Sequence, residues 1–196
     1  YQHLLLEFLR HQLEETVSAD EIRQIHVDAG QAMEEIGDLP GAMHHYLKGN
    51  QLNDICRLAD NMMMQDVMAC SFLYMARVLE KLPADLLRKN PRLVYFQAKL
   101  ASVQGRVQPA IGGLKQALVQ FRVQKDATGI SNCLKDLGFH YYLTGDIRRA
   151  RKQMAMLWGR PHPDPFFPLE VAGQLILFCA ILGDFDAADD YYDKAQ

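Results

Sequence analysis

Four glycines constrain this chain more than any other feature. Gly37, Gly105, Gly145 and Gly183 each close a stretch of helical periodicity, and three are followed at once by aspartate, at Asp38, Asp146 and Asp184. Five residues after each glycine stands an alanine: Ala42, Ala110, Ala150 and Ala188. Nine residues after each stands a bulkier side chain: Tyr46, Leu114, Met154 and Tyr192. Glycine accepts the left-handed backbone that ends a helix. Aspartate then accepts hydrogen bonds from the unpaired N–H groups that open the next. The alanine lets the second helix approach the first, and the larger residue one turn later fills the groove between pairs.

The turns are spaced by 68, 40 and 38 residues. The first interval is twice the tetratricopeptide period of about 34 residues. The fullest copy is Leu137-Gly138, then Tyr141, Gly145-Asp146 and Ala150, five agreements with that repeat at fixed spacing. The sequence therefore predicts an all-α fold, a right-handed superhelix of antiparallel helix pairs. Elsewhere the apolar period is also helical: Ile22, Ile25, Ala29, Ala32 and Ile36 recur at three and four. Ser18 with acidic Asp20 and Glu21 opens that helix. Pro83, Pro91 and Pro168 stand where helices should start, a place that tolerates a missing N–H. Four prolines between Gly159 and Pro168 exclude a helix and predict a stiff connector, anchored by Phe166 or Phe167. Midway through the long interval no glycine turn occurs. The methionines there, Met62, Met63, Met64, Met68 and Met75, read as core packing of an irregular repeat.

Composition narrows the function. A formal net charge of −3 gives no electrostatic footprint for nucleic acid or an anionic membrane. The longest apolar run, Leu175–Leu182, is too short to span a bilayer. Cys56, Cys70, Cys133 and Cys179 form no C-x-x-C pair and lie in apolar helical stretches, as core thiols of a cytoplasmic protein do. No P-loop, basic recognition helix or nucleophile–base grouping is present, so no catalytic residue is assigned and the chain is not expected to be an enzyme; an enzyme with a spatially assembled site is the rival. His44 and His45 are neighbours and point to different faces, so no metal is assigned. His140 stands four residues after Asp136, which reads as a local hydrogen bond.

Three blocks carry a family likeness. They are Tyr1–Arg10, His26–Gly37 continuing through Ala42, His45 and Gly49-Asn50, and Leu79–Pro83 continuing through Leu86-Leu87 to Pro91–Leu93. With them the chain resembles the helical-repeat region of MalT-like, LuxR-type ATP-dependent transcriptional regulators. The resemblance covers about the first 120 residues. It implies that residues 1–16 end a winged-helix module and that 17–196 are a repeat domain cut at both ends. It also implies that ATP and DNA are bound only through domains absent from this chain, and that no cofactor is held here. The repeat region would sense a small inducer or a regulatory protein.

In such a solenoid the first helix of each pair lines the groove. Projection of the repeat places Tyr95, Phe96 and Lys99 there, with Asn132, Lys135, Asp136, Phe139 and Tyr142 from the next repeat and Gln174 from the last. Aromatic faces with amides and charges suit a sugar ring or a peptide backbone equally. Oligomerisation is compatible with this reading. The alternative function is a general protein–protein scaffold unrelated to transcription. The basic run Arg148, Arg149, Arg151 and Lys152 reads as a solvated outer face.

Overall fold

The computed structural model describes residues 16–61 and 72–195, with Leu4, Glu7, Phe8, His11 and Gln12. Most of the 1–16 segment assigned above to a winged-helix module lies outside these residues, as do Met62–Met68 and Cys70. Among the described residues the regular structure is helical and no strand occurs. The helices are α1 (Ala19–Glu35), α2 (Leu39–Lys48), α3 (Leu52–Asn61), α4 (Phe72–Lys81) and α5 (Ala84–Lys89). They continue with α6 (Pro91–Val103), α7 (Val107–Gln124), α8 (Ala127–Leu143), α9 (Ile147–Ala155), α10 (Phe167–Ile181) and α11 (Phe185–Ala195).

All four turn glycines are left-handed, with φ between +71° and +81°. Each turn closes by the same pair of bonds. Gly145 N–H donates to Tyr142 C=O (2.9 Å) and Asp146 N–H to Tyr141 C=O (2.8 Å). The equivalent bonds recur at Gly37, Gly105 and Gly183, which satisfies the last carbonyls of each first helix. Asp38 and Asp146 cap the following helix by accepting from Gly41 N–H (3.0 Å) and Arg149 N–H (3.1 Å). Asp184 instead binds Arg151 across the neighbouring helix (2.8 Å). In two further turns the left-handed residue is not glycine. Asn50 (φ 59°) joins α2 to α3, and Lys125 (φ 58°) joins α7 to α8.

Where the sequence reads as one repeat domain over 17–196, the contacts fall into two compact units, Tyr1–Asn90 and Pro91–Gln196. The division falls where proline forces its predecessor out of the helical region: Asn90 is extended at φ −101°, ψ 112°. In the first unit α1 packs on α2, and α2 also meets α3 and α4. In the second, every helix from α6 to α11 packs on the next in sequence. The proline connector docks as expected through one aromatic. Phe167 is buried and stacks on His162 with ring centroids 3.9 Å apart, while Phe166 is exposed. Helix α9 ends earlier than its apolar pattern suggests. Leu157 N–H turns back to Met154 C=O, tightening the last turn before the connector.

The packing rule differs in one respect from the sequence expectation. At two of the turns the bulky residue nine places on does not fill the space between pairs; it fills the space within its pair. A Cβ on Gly30 would lie 2.7 Å from Tyr46 Cε1, and one on Gly138 would meet the Met154 side chain. Tyr46, Leu114 and Met154 are 2%, 0% and 0% exposed, whereas Tyr192 is 56% exposed. The residue 16 places earlier explains the contrast: Gly30, Ala98 and Gly138 are small, but Ile176 is not. Small against large sets the helix spacing in two pairs; between α6 and α7 the close approach is Gly113 against Ala98, and Tyr192 is left outside.

Gly30→Ala should therefore destabilise the first unit by about 1–3 kcal/mol, because an aromatic ring rather than a flexible tail must yield. Gly112→Ala, on an exposed stretch of α7 with open space around it, should stabilise by about 0.5–1 kcal/mol. Urea denaturation of the two variants measures both signs.

Candidate functional site

In the unit Pro91–Gln196 the first helices α6, α8 and α10 stand side by side, joined by polar bridges. Tyr95 Oη donates to Asp136 Oδ2 (2.7 Å), and Lys99 Nζ donates to Asp136 Oδ1 (3.0 Å). Lys135 Nζ binds Glu170 (2.6 Å) and lies 5.2 Å from the centre of the Phe167 ring. Tyr142 packs on Phe178 with centroids 5.4 Å apart. At the edge of the unit Arg92 binds Asp126 (2.8 Å), the residue that also caps α8 by accepting from Gly129 N–H.

This geometry sorts the residues projected from the sequence. Tyr95 and Phe96 are 3% and 2% exposed, so neither ring offers a face to a ligand. They were expected in the groove, but the turn of α6 directs both into the core against Phe121 and each other. Asp136 is buried as well, with both oxygens occupied. The expected Asp136–His140 hydrogen bond is not made, because Tyr95 and Lys99 take that carboxylate. His140 is buried, and its Nδ1 has no partner. Lys99 and Lys135 are held in ion pairs. Asn132 and Gln174 are half-buried, and Gln174 Oε1 is enclosed without a partner. Only Phe139 (45% exposed) and Tyr142 (36%) present aromatic surface outward.

Four exposed apolar residues beside Phe139 escaped the projection. Two places before each turn of this unit stand Val103, Leu143 and Ile181, which are 58%, 53% and 50% exposed. Phe139 and Leu177, one turn earlier on α8 and α10, are exposed too. These five form an apolar ladder across three neighbouring helices. The signal was present in the sequence as an aliphatic residue at a fixed distance before each turn, which a core-facing position need not occupy.

The burial of ionisable groups shows the cost of this packing. Burial, and then Asp136, pushes the Tyr95 phenol well above its ordinary value. Burial also pushes the Cys133 thiol up, which makes it inert. In the first unit His26 Nδ1 lies 3.1 Å from His45 Nδ1, and His44 meets His45 edge-on. Burial, then Lys48 beside them, holds all three imidazoles below their ordinary value. Among the described residues no three or more His, Cys, Asp or Glu side chains are arranged to hold a metal ion. None of the described helices is long and apolar enough to cross a membrane.

No protein-family profile matches the chain, and no curated protein does. Solved structures do. One structure of MamA is similar over 89% of this chain and 90% of its own, with a TM-score of 0.62 at 19% identity. Another MamA structure gives 0.61 at 18% identity over 85% and 91%. BtubC from P. vanneervenii gives 0.56 at 12% identity over 91% and 90%. These neighbours are tetratricopeptide-like α-solenoids, and that is the fold of this chain. At these identities the likeness concerns the fold alone.

Two outcomes follow. Asp136→Ala would strand the Lys99 ammonium and the buried Tyr95 hydroxyl together and should cost about 2–4 kcal/mol in chemical denaturation. The histidine trio sets a pH dependence. An unfolded chain takes up protons near pH 6.5, whereas the folded imidazoles, with lowered values, resist until lower pH. Acid therefore favours the unfolded chain, and stability should fall as pH drops through about 6.5. Thermal melting at pH 7.5 and 5.5 measures the loss, and a His26→Gln, His45→Gln variant should lose less.

Proposed function

We propose that this chain is a protein-interaction scaffold whose first-helix face, in the unit Pro91–Gln196, holds an amphipathic helical segment of a partner. The apolar ladder Val103, Leu143 and Ile181 with Phe139 and Leu177 carries this reading. Neighbouring packed helices lie about 8–10 Å apart. A partner helix repeats a side chain every about 10.5 Å at i and i+7, which matches one anchor per scaffold helix. The charges of this face argue the same way. Lys99 and Lys135 are already neutralised by Asp136 and Glu170, so a free carboxylate or a sugar would have to break existing pairs.

The narrower expectation was a sensor region of an ATP-dependent transcriptional regulator that binds a small inducer or a regulatory protein. It rests on the sequence resemblance alone. Of the aromatic groups such an inducer would need, only Phe139 and Tyr142 are available.

Selection from a displayed random peptide library tests the proposal. Enriched peptides should show apolar residues at i, i+3 or i+4, and i+7. Leu143→Asp with Ile181→Asp should weaken their binding at least tenfold, or about 1.4 kcal/mol, with little change in melting temperature. Selection of peptides with no such spacing, or binding indifferent to the two aspartates, would move the site off this face.

A further inference from the structure

The proline connector that joins α9 to α10 also walls a cleft that the partner-binding face does not use. Its path is fixed bond by bond. Gly159 is left-handed at φ 73°, and Arg160 N–H returns to Leu157 C=O (3.0 Å). Asp164 N–H then donates to His162 Nδ1 (3.1 Å), Phe166 N–H to Asp164 Oδ1 (2.9 Å), and Phe167 N–H to Asp164 C=O (3.2 Å). Pro161, Pro163, Pro165 and Pro168 fix φ along the same stretch. The stack of His162 on buried Phe167 ties the segment to α10.

Between this connector, the start of α10 and the end of α11 lies a cleft of about 530 Å³. Pockets that hold small molecules are of this size, about 300–1,000 Å³, and mostly apolar with a few polar groups. Leu157 and Val171, 2% and 1% exposed, form its floor. Trp158, Pro161 and Pro168 form its walls. The Trp158 indole is half-buried and held edge-on against Tyr191, with ring centroids 5.2 Å apart. Two charged side chains line the cleft, the exposed cations Arg160 and Lys194, and no carboxylate does. Arg160 makes no ion pair among the described residues. Lys194 binds Asp190 one turn back (2.6 Å), an exposed pair of the kind that contributes little and yields to a competing anion.

We propose that this cleft binds a small amphipathic carboxylate, its apolar body on Leu157, Val171 and the Trp158 indole and its charged end between Arg160 and Lys194. A carboxylate is ionised at neutral pH, and its two oxygens match the guanidinium fork of Arg160. A strongly hydrated anion with no apolar body would leave the floor and the indole uncovered. A neutral apolar molecule would cover them but leave both cations without a partner. The connector is already ordered, so binding spends little free energy on arranging the walls. The cleft shares no residue with the ladder Val103, Leu143 and Ile181, so it stands or falls separately from partner binding there.

Trp158 is the one tryptophan of the chain, so its fluorescence reports on this cleft directly. Titration of the intact chain with octanoate should move the emission to shorter wavelength and saturate. Octanol, which lacks the charge, and acetate, which lacks the body, should each bind about tenfold more weakly or worse. Arg160→Ala with Lys194→Ala should weaken octanoate about tenfold and leave octanol unchanged, which also shows that the cleft is intact. Leu143→Asp with Ile181→Asp should bind octanoate as the wild type does. No saturable response to octanoate, octanoate and octanol bound alike, or octanoate indifferent to the loss of both cations would overturn the proposal. So would loss of octanoate binding in the Leu143, Ile181 variant, or saturation by a peptide with a free carboxy-terminal leucine but not by octanoate.

Discussion

Everything else in this structure depends on how closely the two helices of a pair can approach. That distance is set by a missing side chain on the first helix and a large one on the second. Gly30 receives the ring of Tyr46, and Gly138 receives Met154. Between α6 and α7 the approach is small against small, with Gly113 of α7 closing on Ala98. The capped turns then only have to reverse the chain, because contact between the helices is already specified by shape. Close pairs leave their first helices near enough to be joined by short side-chain bridges. Those bridges, Tyr95 and Lys99 to Asp136 and Lys135 to Glu170, flatten and neutralise the face on which a partner would lie.

Legibility in the sequence followed the same physics. The glycine turns, the caps at Asp38 and Asp146 and the helix starts at proline could be read directly, because each demands a residue with a special backbone property. The turn at Lys125 could not, since there the surrounding helices impose a left-handed conformation on a residue that does not announce it. Lysine is poor at φ 58°, and it is held there by the packing of α7 on α8 and by the same two turn bonds, Lys125 N–H to Arg122 C=O and Asp126 N–H to Phe121 C=O. The division at Asn90–Pro91 had a local cause in plain view, yet proline alone does not tell a helix start from a boundary between units.

The candidate site was harder to read for a different reason. Projecting a repeat onto a sequence fixes which helix a residue lies on, but a helix turns about 100° per residue, and a small error in phase exchanges groove for core. Tyr95 and Phe96 fell on the wrong side of that line. The polar residues were placed on the right helices, but their commitments were invisible, because Asp136 finds its partners 41 and 37 residues away. The aliphatic members of the ladder could not be told from core residues, because both recur at helical spacing. Only exposure in the folded chain separates Ile181 from Leu175.

The strictly consecutive packing of α6 to α11 reaches beyond the folded state. Each helix finds its main partner immediately before or after it along the chain, so loop-closure entropy is small at every step. Low contact order of this kind goes with fast folding, and it matters most while the chain is still being made. A newly synthesised pair such as α6 and α7 already has its mate as it emerges and need not wait for a distant strand or a closing segment. Synthesis at about 5–20 residues per second delivers one helix pair every few seconds, far slower than such pairs form. Folding of this unit can keep pace with the ribosome, and its apolar faces spend little time exposed to other nascent chains.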